Sequence, residues 1–184
     1  MVKKWEVIER KTRGSFKIFD IEERIFKNPY NGKKIPSFII NSNQWVNVIA
    51  ITPESEPKIV LINQFRFGSE RIELEIPGGI VEDGEKPGTA AARELFEETG
   101  YKGNEPILLG KVNPNPAIHG HICYTYLIEG AYKSSEPRFD GPNEVCDVVL
   151  ASVPGVKKLV QGGKITHSLV IDAIFWYLLY ISNI

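Results

Sequence analysis

Residues 78–101 read GGIVEDGEKPGTAAARELFEETGY, and the interpretation of the whole chain begins from this stretch. Glycines stand at both ends, and a proline precedes a run of strong helix formers. This pattern predicts a strand over residues 71–76, a glycine-rich turn, an irregular loop and a helix over about residues 89–99. Thr89 is the expected N-cap of that helix, and Gly100 suits the position just past its C-terminus.

Three carboxylates share one face of the predicted helix. Glu94, Glu97 and Glu98 stand at positions i, i+3 and i+4, so they lie side by side and repel each other. A hard divalent cation relieves that repulsion, and Mg²⁺ held by carboxylates and substrate phosphates fits best. Arg93 lies four residues before Glu97 and is expected to pair with it. The alternative is a solvated acidic helix face, which leaves the glycines and Glu85 unexplained.

The spacing of these residues resembles the signature of the Nudix hydrolases at every fixed position. Gly79 is followed by five residues and Glu85, then by seven residues and the segment 93–101, RELFEETGY. The resemblance implies the Nudix fold, an α/β (α+β) architecture with a mixed β-sheet between helices. It also implies a metal-dependent hydrolase acting on a diphosphate, and it does not select the rest of the substrate.

Composition sets the broad class of the protein. The chain has 184 residues, of which 42% are hydrophobic, enough for one globular domain with a small appendage. Its net charge of −1 argues against nucleic acid or an anionic membrane as a partner. Cys123 and Cys146 form neither a disulfide framework nor a zinc set, so we expect buried free thiols in a reducing compartment. The charged N-terminus has no apolar core of a signal peptide, which favours a cytoplasmic protein.

The pattern divides the chain at residue 44. Residues 1–44 read as a β-meander with a weak core, with strands expected near 5–9, 16–24 and 35–40. Residues 45–184 carry further strands, the motif and a terminal apolar helix near 167–181. That helix is too short to span a membrane, so we expect it in the core. Strands interleaved with helices predict a mixed sheet with helices on both faces.

The resemblance extends to one branch of the family, the ADP-ribose pyrophosphatases. Pro116 stands sixteen residues past Gly100, as is common in that branch, and residues 45–50, 64–68 and 163–170 also resemble it. The N-terminal region resembles the extra antiparallel β-region of these enzymes, which implies a homodimer in which this region is swapped between subunits. A hairpin without a core of its own gives a physical reason to expect that dimer.

The resemblance also implies a set of site residues. The expected metal ligands are the Gly78 carbonyl, Glu94 and Glu98, holding Mg²⁺ with Mn²⁺ as an alternative. The expected catalytic residues are Glu97, Arg93 and Glu144, and the expected substrate-binding residues are Arg66 on the diphosphate, Trp45 on the base and Pro116 in the pocket wall.

Several of these roles keep alternatives. Glu144 is either the base that activates water or a further metal ligand, and Glu97 either binds the metal or lies beside it. Arg93, with Glu85, also suits a structural role that holds loop and helix together, and Trp45 equally suits a core or an interface. His119 and His121 have the spacing of a metal pair, but most loop histidines at such spacing are neither ligand nor base.

The predicted activity is Mg²⁺-dependent hydrolysis of ADP-ribose or a related nucleoside diphosphate sugar, giving AMP (or another nucleoside monophosphate) and a sugar phosphate. One alternative is cleavage of another nucleoside diphosphate derivative. The other is a binding module that senses a nucleotide sugar without turnover. The complete glutamate set favours the hydrolase, because a sensor is free to lose it.

Overall fold

The computed structural model describes residues 1–139 and 145–182, which form two compact units. The first unit comprises residues 1–43 and 113–122, and the second comprises residues 44–112 and the chain from residue 123 onward. The boundary therefore falls beside residue 44, and the segment 113–122, which contains Pro116, joins the first unit.

An antiparallel sheet of three strands makes up most of the first unit. Its strands, in spatial order, are β1 (Glu6–Ser15), β2 (Asp20–Lys27) and β3 (Lys34–Asn41). The segment 113–122 attaches to β3, where the Ile40 amide donates to the Ile118 carbonyl at 2.8 Å. Among residues 1–43, all of which are described, Ile39 is the one buried hydrophobic side chain. The sheet thus has very little core of its own.

The first two strands differ from the expected ranges. The prediction of a strand over residues 16–24 was wrong at its start, because residues 16–19 form the turn between β1 and β2. The Phe16 amide donates to the Phe19 carbonyl at 2.9 Å, and the two rings lie 4.9 Å apart. The apolar residues Phe16 and Phe19 contact each other across this turn. Their alternation with polar residues is therefore explained by the turn and not by a strand.

The second unit contains the remaining elements. In chain order they are β4 (Trp45–Ala50), β5 (Lys58–Arg66), β6 (Arg71–Glu75), β7 (Gly78–Ile80), α1 (Pro87–Thr99), β8 (Tyr101–Lys102), β9 (Ile107–Val112), β10 (Cys123–Ile128), β11 (Tyr132–Lys133), β12 (Cys146–Ser152), α2 (Val153–Gln161) and α3 (Ser168–Ser182). A four-stranded sheet runs in the order β7-β4-β10-β9, and a three-stranded sheet runs in the order β12-β5-β6. Strands β8 and β11 pair separately.

Helices cover both faces of the mixed sheet, as the sequence predicted. Strand β4 runs parallel to β10 and antiparallel to β7, so the four-stranded sheet is mixed. Alternate residues of β4 enter different cores: Val46 and Val48 pack with Leu95 of α1, whereas Ile49 packs with Ile174 of α3. The alternation of side chains along a strand therefore places one helix on each face.

Two local predictions around the motif were wrong. Helix α1 begins at Pro87 with Lys86 as its N-cap, and Thr89 lies inside the helix. Proline suits the first helical turn because N–H groups there make no hydrogen bond within the helix, so the lack of an N–H costs nothing. The expected glycine turn is a short strand, β7, in which Gly79 pairs with Val46 of β4.

The end of α1 agrees with the sequence. Gly100 has a φ of 70°, and its amide donates to the Phe96 carbonyl at 2.7 Å. Both cysteines are buried free thiols, as expected, and burial raises the pKa of Cys123 to about 12. In the described part of the chain, no helix combines the length and apolar character needed to cross a bilayer.

Candidate active site

Helix α1 brings two of its carboxylates against the glycines of β7. Glu98 is 8% exposed, and its Oε2 accepts a hydrogen bond from the Gly78 amide at 2.9 Å. The carboxylate of Glu94 lies against Gly79 so closely that a Cβ added at Gly79 would overlap it. A side chain at residue 79 would therefore displace the Glu94 carboxylate from β7.

Arg93 holds the neighbouring acids in one arrangement. Its Nε and Nη2 each donate to Glu85 at 3.1 Å, while its Nη1 donates to Glu94 and to Glu97 at 2.9 Å. Nη2 also donates to the Ile80 carbonyl at 3.0 Å. The expected Arg93–Glu97 pair is thus present, and one guanidinium links the loop, β7 and α1.

The electrostatics of this group follow from those contacts. Hydrogen bonds from Arg93 lower the pKa of Glu85, and burial opposes the shift only in part. Hydrogen bonds to Glu85, with the charges of Glu94 and Glu85, raise the pKa of Arg93 in return, although burial opposes this. Glu85 is accordingly ionised at neutral pH, and one cation keeps it close to Glu94 and Glu97.

The donor set suits a hard divalent ion that is completed by other oxygens. In residues 1–139 and 145–182, no three side chains of His, Cys, Asp or Glu form a group that could hold a metal by themselves. Glu98 nevertheless contacts Gly78, and Glu94 lies against the adjacent Gly79 of β7. Mg²⁺ typically uses one or two carboxylates and takes its remaining ligands from water and substrate phosphates. Two neighbouring carboxylates of α1 beside β7 therefore fit this ion.

Arg66, the residue expected on the diphosphate, lies at the end of β5 and pairs with a buried acid. Its Nε and Nη2 donate to the two oxygens of Glu75 at 2.8 and 2.9 Å. The Glu75 side chain is 2% exposed and also contacts His167 Nδ1 at 2.8 Å. Burial alone would lower the pKa of Arg66, but Glu75, and at longer range Glu98 and Cys146, raise it. Arg66 is therefore within electrostatic reach of the motif.

The remaining expected residues are distributed over the two units. Trp45 is half-buried at the start of β4, where it pairs with Ile80 of β7. Pro116 lies in the first unit, in a loop where the Asn115 carbonyl accepts from the His119 amide at 2.7 Å. Glu144 lies outside the described residues, so its role stays a prediction.

The two loop histidines stack on each other in the first unit. Their ring centroids are 5.2 Å apart with an angle of 24° between the planes. Burial and the neighbouring His119 lower the pKa of His121, which is 4% exposed. The two rings therefore pack directly against each other.

Sequence reasoning missed Glu75, His167 and Cys146. Glu75 stands in an ordinary alternating strand, and His167 follows it by 92 positions, so no local pattern joins the two. The thiol of Cys146 lies 4.0 Å from Glu98 Oε1, and it reaches this place through the pairing of β12 with β5. The alternating pattern of β6 did not mark Glu75 as buried, so the need of its charge for a partner became visible only in the structure.

Comparisons with known proteins agree with this geometry. Residues 43–167 match the family model of the NUDIX domain. The chain is 32% identical over 151 residues to the ADP-ribose pyrophosphatase of Bacillus subtilis (strain 168), which covers 82% of this chain and 80% of the relative. It is 31% identical over 144 residues to the methanol dehydrogenase activator of Bacillus methanolicus, covering 78% and 77% of the two chains.

A solved structure shows the same fold. The crystal structure of an ADP compounds hydrolase superposes with a TM-score of 0.84 and 20% identity, covering 100% of this chain and 97% of the other. The family model spans more than half of the chain, and it includes the motif whose glutamates, glycines and arginine meet around β7. The chain therefore belongs to the Nudix family of hydrolases.

Proposed function

We propose that this protein hydrolyses the diphosphate bond of ADP-ribose or a related nucleoside diphosphate sugar, releasing AMP (or another nucleoside monophosphate) and a sugar phosphate. The observation that carries the proposal is the approach of Glu94 and Glu98 to the glycines of β7, with Arg93 holding the remaining acids. The similarity to a B. subtilis protein named ADP-ribose pyrophosphatase supports the choice of substrate.

Mg²⁺, with Mn²⁺ as an alternative, is the proposed cofactor, and Glu94, Glu98 and the Gly78 carbonyl would hold it. When bound, the ion would neutralise the diphosphate and make its phosphorus more electrophilic. Arg93 keeps Glu97 at the edge of this site through the 2.9 Å hydrogen bond from Nη1. This contact supports the proposal that Glu97 is a further ligand or a neighbour of the metal, and Glu144 is proposed as the base.

Arg66 is proposed to bind the diphosphate. Its side chain is 42% exposed, and Nε and Nη2 are both directed to Glu75, which leaves Nη1 on the opposite edge of the guanidinium. That edge makes no hydrogen bond within the described residues. A planar guanidinium held on one edge can donate from the other edge to phosphate oxygens. Trp45 is proposed to stack on the base and Pro116 to shape the pocket.

We also propose a cytoplasmic homodimer formed through residues 1–44. The sheet of the first unit exposes large hydrophobic side chains, including Phe16, Ile18 and Phe38, which are 56%, 60% and 56% exposed. Exposed apolar surface of this kind is typical of a protein interface. Light scattering on the full chain should give the mass of two chains. A stable, active monomer would contradict the dimer and leave the hydrolase proposal intact.

Another nucleoside diphosphate derivative is the second candidate substrate. It stays a candidate because the identity of 32% to the ADP-ribose pyrophosphatase is close to the identity of 31% to a relative with a different name, the methanol dehydrogenase activator. Similarity at this level does not choose between the two roles. The choice of substrate therefore depends on an assay.

Product analysis on a panel of compounds tests the proposal. ADP-ribose, UDP-glucose, GDP-mannose, a diadenosine polyphosphate and 8-oxo-dGTP are compared at equal concentration with Mg²⁺, and excess chelator serves as the blank. We expect ADP-ribose or a close ADP-sugar to give the highest kcat/KM and to yield AMP. A diadenosine compound or 8-oxo-dGTP in first place would overturn the substrate. Cleavage of none of them would favour the sensing module.

A further inference from the structure

Two side chains from distant parts of the second unit meet on one buried carboxylate. Glu75 Oε1 accepts from Arg66 Nε at 2.8 Å, and Oε2 accepts from Arg66 Nη2 at 2.9 Å and contacts His167 Nδ1 at 2.8 Å. Arg66 ends β5, Glu75 ends β6, and His167 immediately precedes α3. The carboxylate is thus held from two strands and from the start of a helix.

The direction of the histidine contact follows from the state of Glu75. Burial raises the pKa of Glu75, but hydrogen bonds from His167 and Arg66 outweigh it and hold the pKa at about 2. Glu75 is therefore a carboxylate at neutral pH and can only accept hydrogen bonds. Nδ1 of His167 consequently carries the proton and donates it to Oε2, whichever charge the ring has.

The histidine bond differs in kind from the two arginine bonds. A carboxylate rotates easily about its last torsion, and a guanidinium that is paired with it on one edge can swing with it as a unit. The two hydrogen bonds from Arg66 fix the guanidinium relative to the carboxylate, but they do not prevent the two groups from rotating together. The hydrogen bond from His167, which immediately precedes α3, is a third contact on the carboxylate. This contact opposes the joint rotation of the Glu75 carboxylate and the Arg66 guanidinium.

We propose that His167, acting through Glu75, positions the Arg66 guanidinium for the substrate diphosphate. His167 is thereby a positioning residue, and the inference rests on the proposed function of Arg66. Its own ring is not required to touch the substrate. The start of α3 thus contributes to catalysis although the motif of the family model lies mostly in β7 and α1.

A neighbouring contact provides a matched control. Thr166 Oγ1 donates to Glu73 Oε2 at 3.0 Å, which also ties the segment before α3 to β6. Glu73 makes no described contact with Arg66. If the histidine contact merely attached α3 to the sheet, removal of the threonine contact would have a similar effect. Thr166→Val is therefore expected to leave kcat/KM within about twofold of the unaltered protein.

Two amide replacements of His167 form the main test. Asparagine places an N–H₂ at the same number of bonds from Cα as Nδ1, whereas glutamine places it one bond further away. We expect His167→Gln to lower kcat/KM for ADP-ribose about tenfold and His167→Asn to lower it by less than about threefold. In a protein that already carries Arg66→Ala, His167→Gln should cause no further loss, because the residue acts through Arg66.

A second measurement is independent of turnover. The Arg66 Nε–H, donated to the buried Glu75, should give a slowly exchanging signal in ¹⁵N-resolved NMR spectra of the full chain. We expect its exchange with water to accelerate about tenfold in His167→Gln and to stay slow in His167→Asn and Thr166→Val. If no compound of the panel is cleaved, the proposed function fails while this measurement still decides the positioning.

Two results would overturn the inference. One is equal behaviour of the asparagine and glutamine variants, both in kcat/KM and in the exchange of Arg66 Nε–H. The other is a loss in the Arg66→Ala protein as large as the loss in the protein with Arg66 intact, since independent sites contribute multiplicatively.

Discussion

Two arginines of the second unit pair with acids in contrasting ways. Arg93 is 23% exposed and makes five hydrogen bonds, to three glutamates and a backbone carbonyl. Arg66 is 42% exposed and makes two, both to Glu75. Arg93 therefore has its donor capacity used within the protein, while Arg66 keeps one edge available. The difference separates an arginine that builds the site from one that is able to bind an anion in it.

The same contrast holds for their partners. The glutamates around Arg93 are gathered by one cation and lie beside β7, where a metal would be held. Glu75 is almost completely buried and serves Arg66 and His167 alone among the described contacts. Acids that bind a metal must stay accessible to it, whereas an acid that orients an arginine is most effective when it is buried.

The largest expected effect comes from Glu98, one of the two proposed carboxylate ligands on α1. Glu98→Gln keeps the shape of the side chain but removes a charge from the ligand set. We expect kcat to fall by about 10² or more while the far-ultraviolet circular dichroism and Tm stay close to those of the unaltered protein. Activity that persists in this variant, or in excess chelator, would contradict a metal site on α1.

The second effect separates the arginines by stability. A lysine has three donors on one nitrogen and cannot reproduce the five contacts of Arg93. We expect Arg93→Lys to lower the free energy of unfolding by about 2 kcal/mol and Arg66→Lys to lower it by about 1 kcal/mol or less. Urea unfolding of both variants provides the comparison. An equal loss in the two would remove the distinction drawn from their contacts.

The third effect is on activity at Arg66. Lysine keeps the positive charge but cannot pair with Glu75 on one edge and donate from the opposite edge. We expect Arg66→Lys to reduce kcat/KM about tenfold, with the fold retained. Activity on ADP-ribose is measured over a range of substrate concentrations, so that kcat and KM are separated. Unaltered kinetics would show that Arg66 does not bind the diphosphate.

The smallest effect is the pH dependence of stability. The pKa of Glu75 lies at about 2 in the folded protein, below its ordinary value of 4.5. Its contribution is therefore complete above pH 4.5 and is lost as the pH falls toward 2, because only the unfolded chain takes up the proton. Between pH 4.5 and 3.5 the protein should lose about 1 kcal/mol more unfolding free energy than Glu75→Gln does. Parallel losses in the two proteins would place the titration elsewhere.

Local patterns were sufficient for the motif. The helical spacing of Glu94, Glu97 and Glu98 and the pair Arg93–Glu97 depend on residues within one or two turns, so the order of the amino acids specifies them. Gly100 was also predicted from a local pattern, because a glycine commonly follows the last residue of a helix. Its φ of 70° in the structure is a conformation that most other residues avoid. Errors arose at residues 16–19 and at Thr89, where a turn and a proline start replaced the expected local pattern.

Contacts between residues far apart in the sequence depend on strand pairing and on the packing of distant segments. Arg66 meets Glu75 because β5 and β6 pair, and Glu75 meets His167 because the segment before α3 lies against the end of β6. Cys146 reaches Glu98 through the pairing of β12 with β5. None of these neighbours has a spacing that a sequence pattern would reveal.

The amino-acid order alone therefore identified the family, the mixed sheet with helices on both faces, and the carboxylates of α1. It did so because periodicity and spacing within about 25 residues encode those features. The packing of distant elements decided which arginine is fully engaged and which keeps a free edge. Donor capacity depends on every partner that surrounds a side chain, and those partners come together only when the sheets and helices assemble.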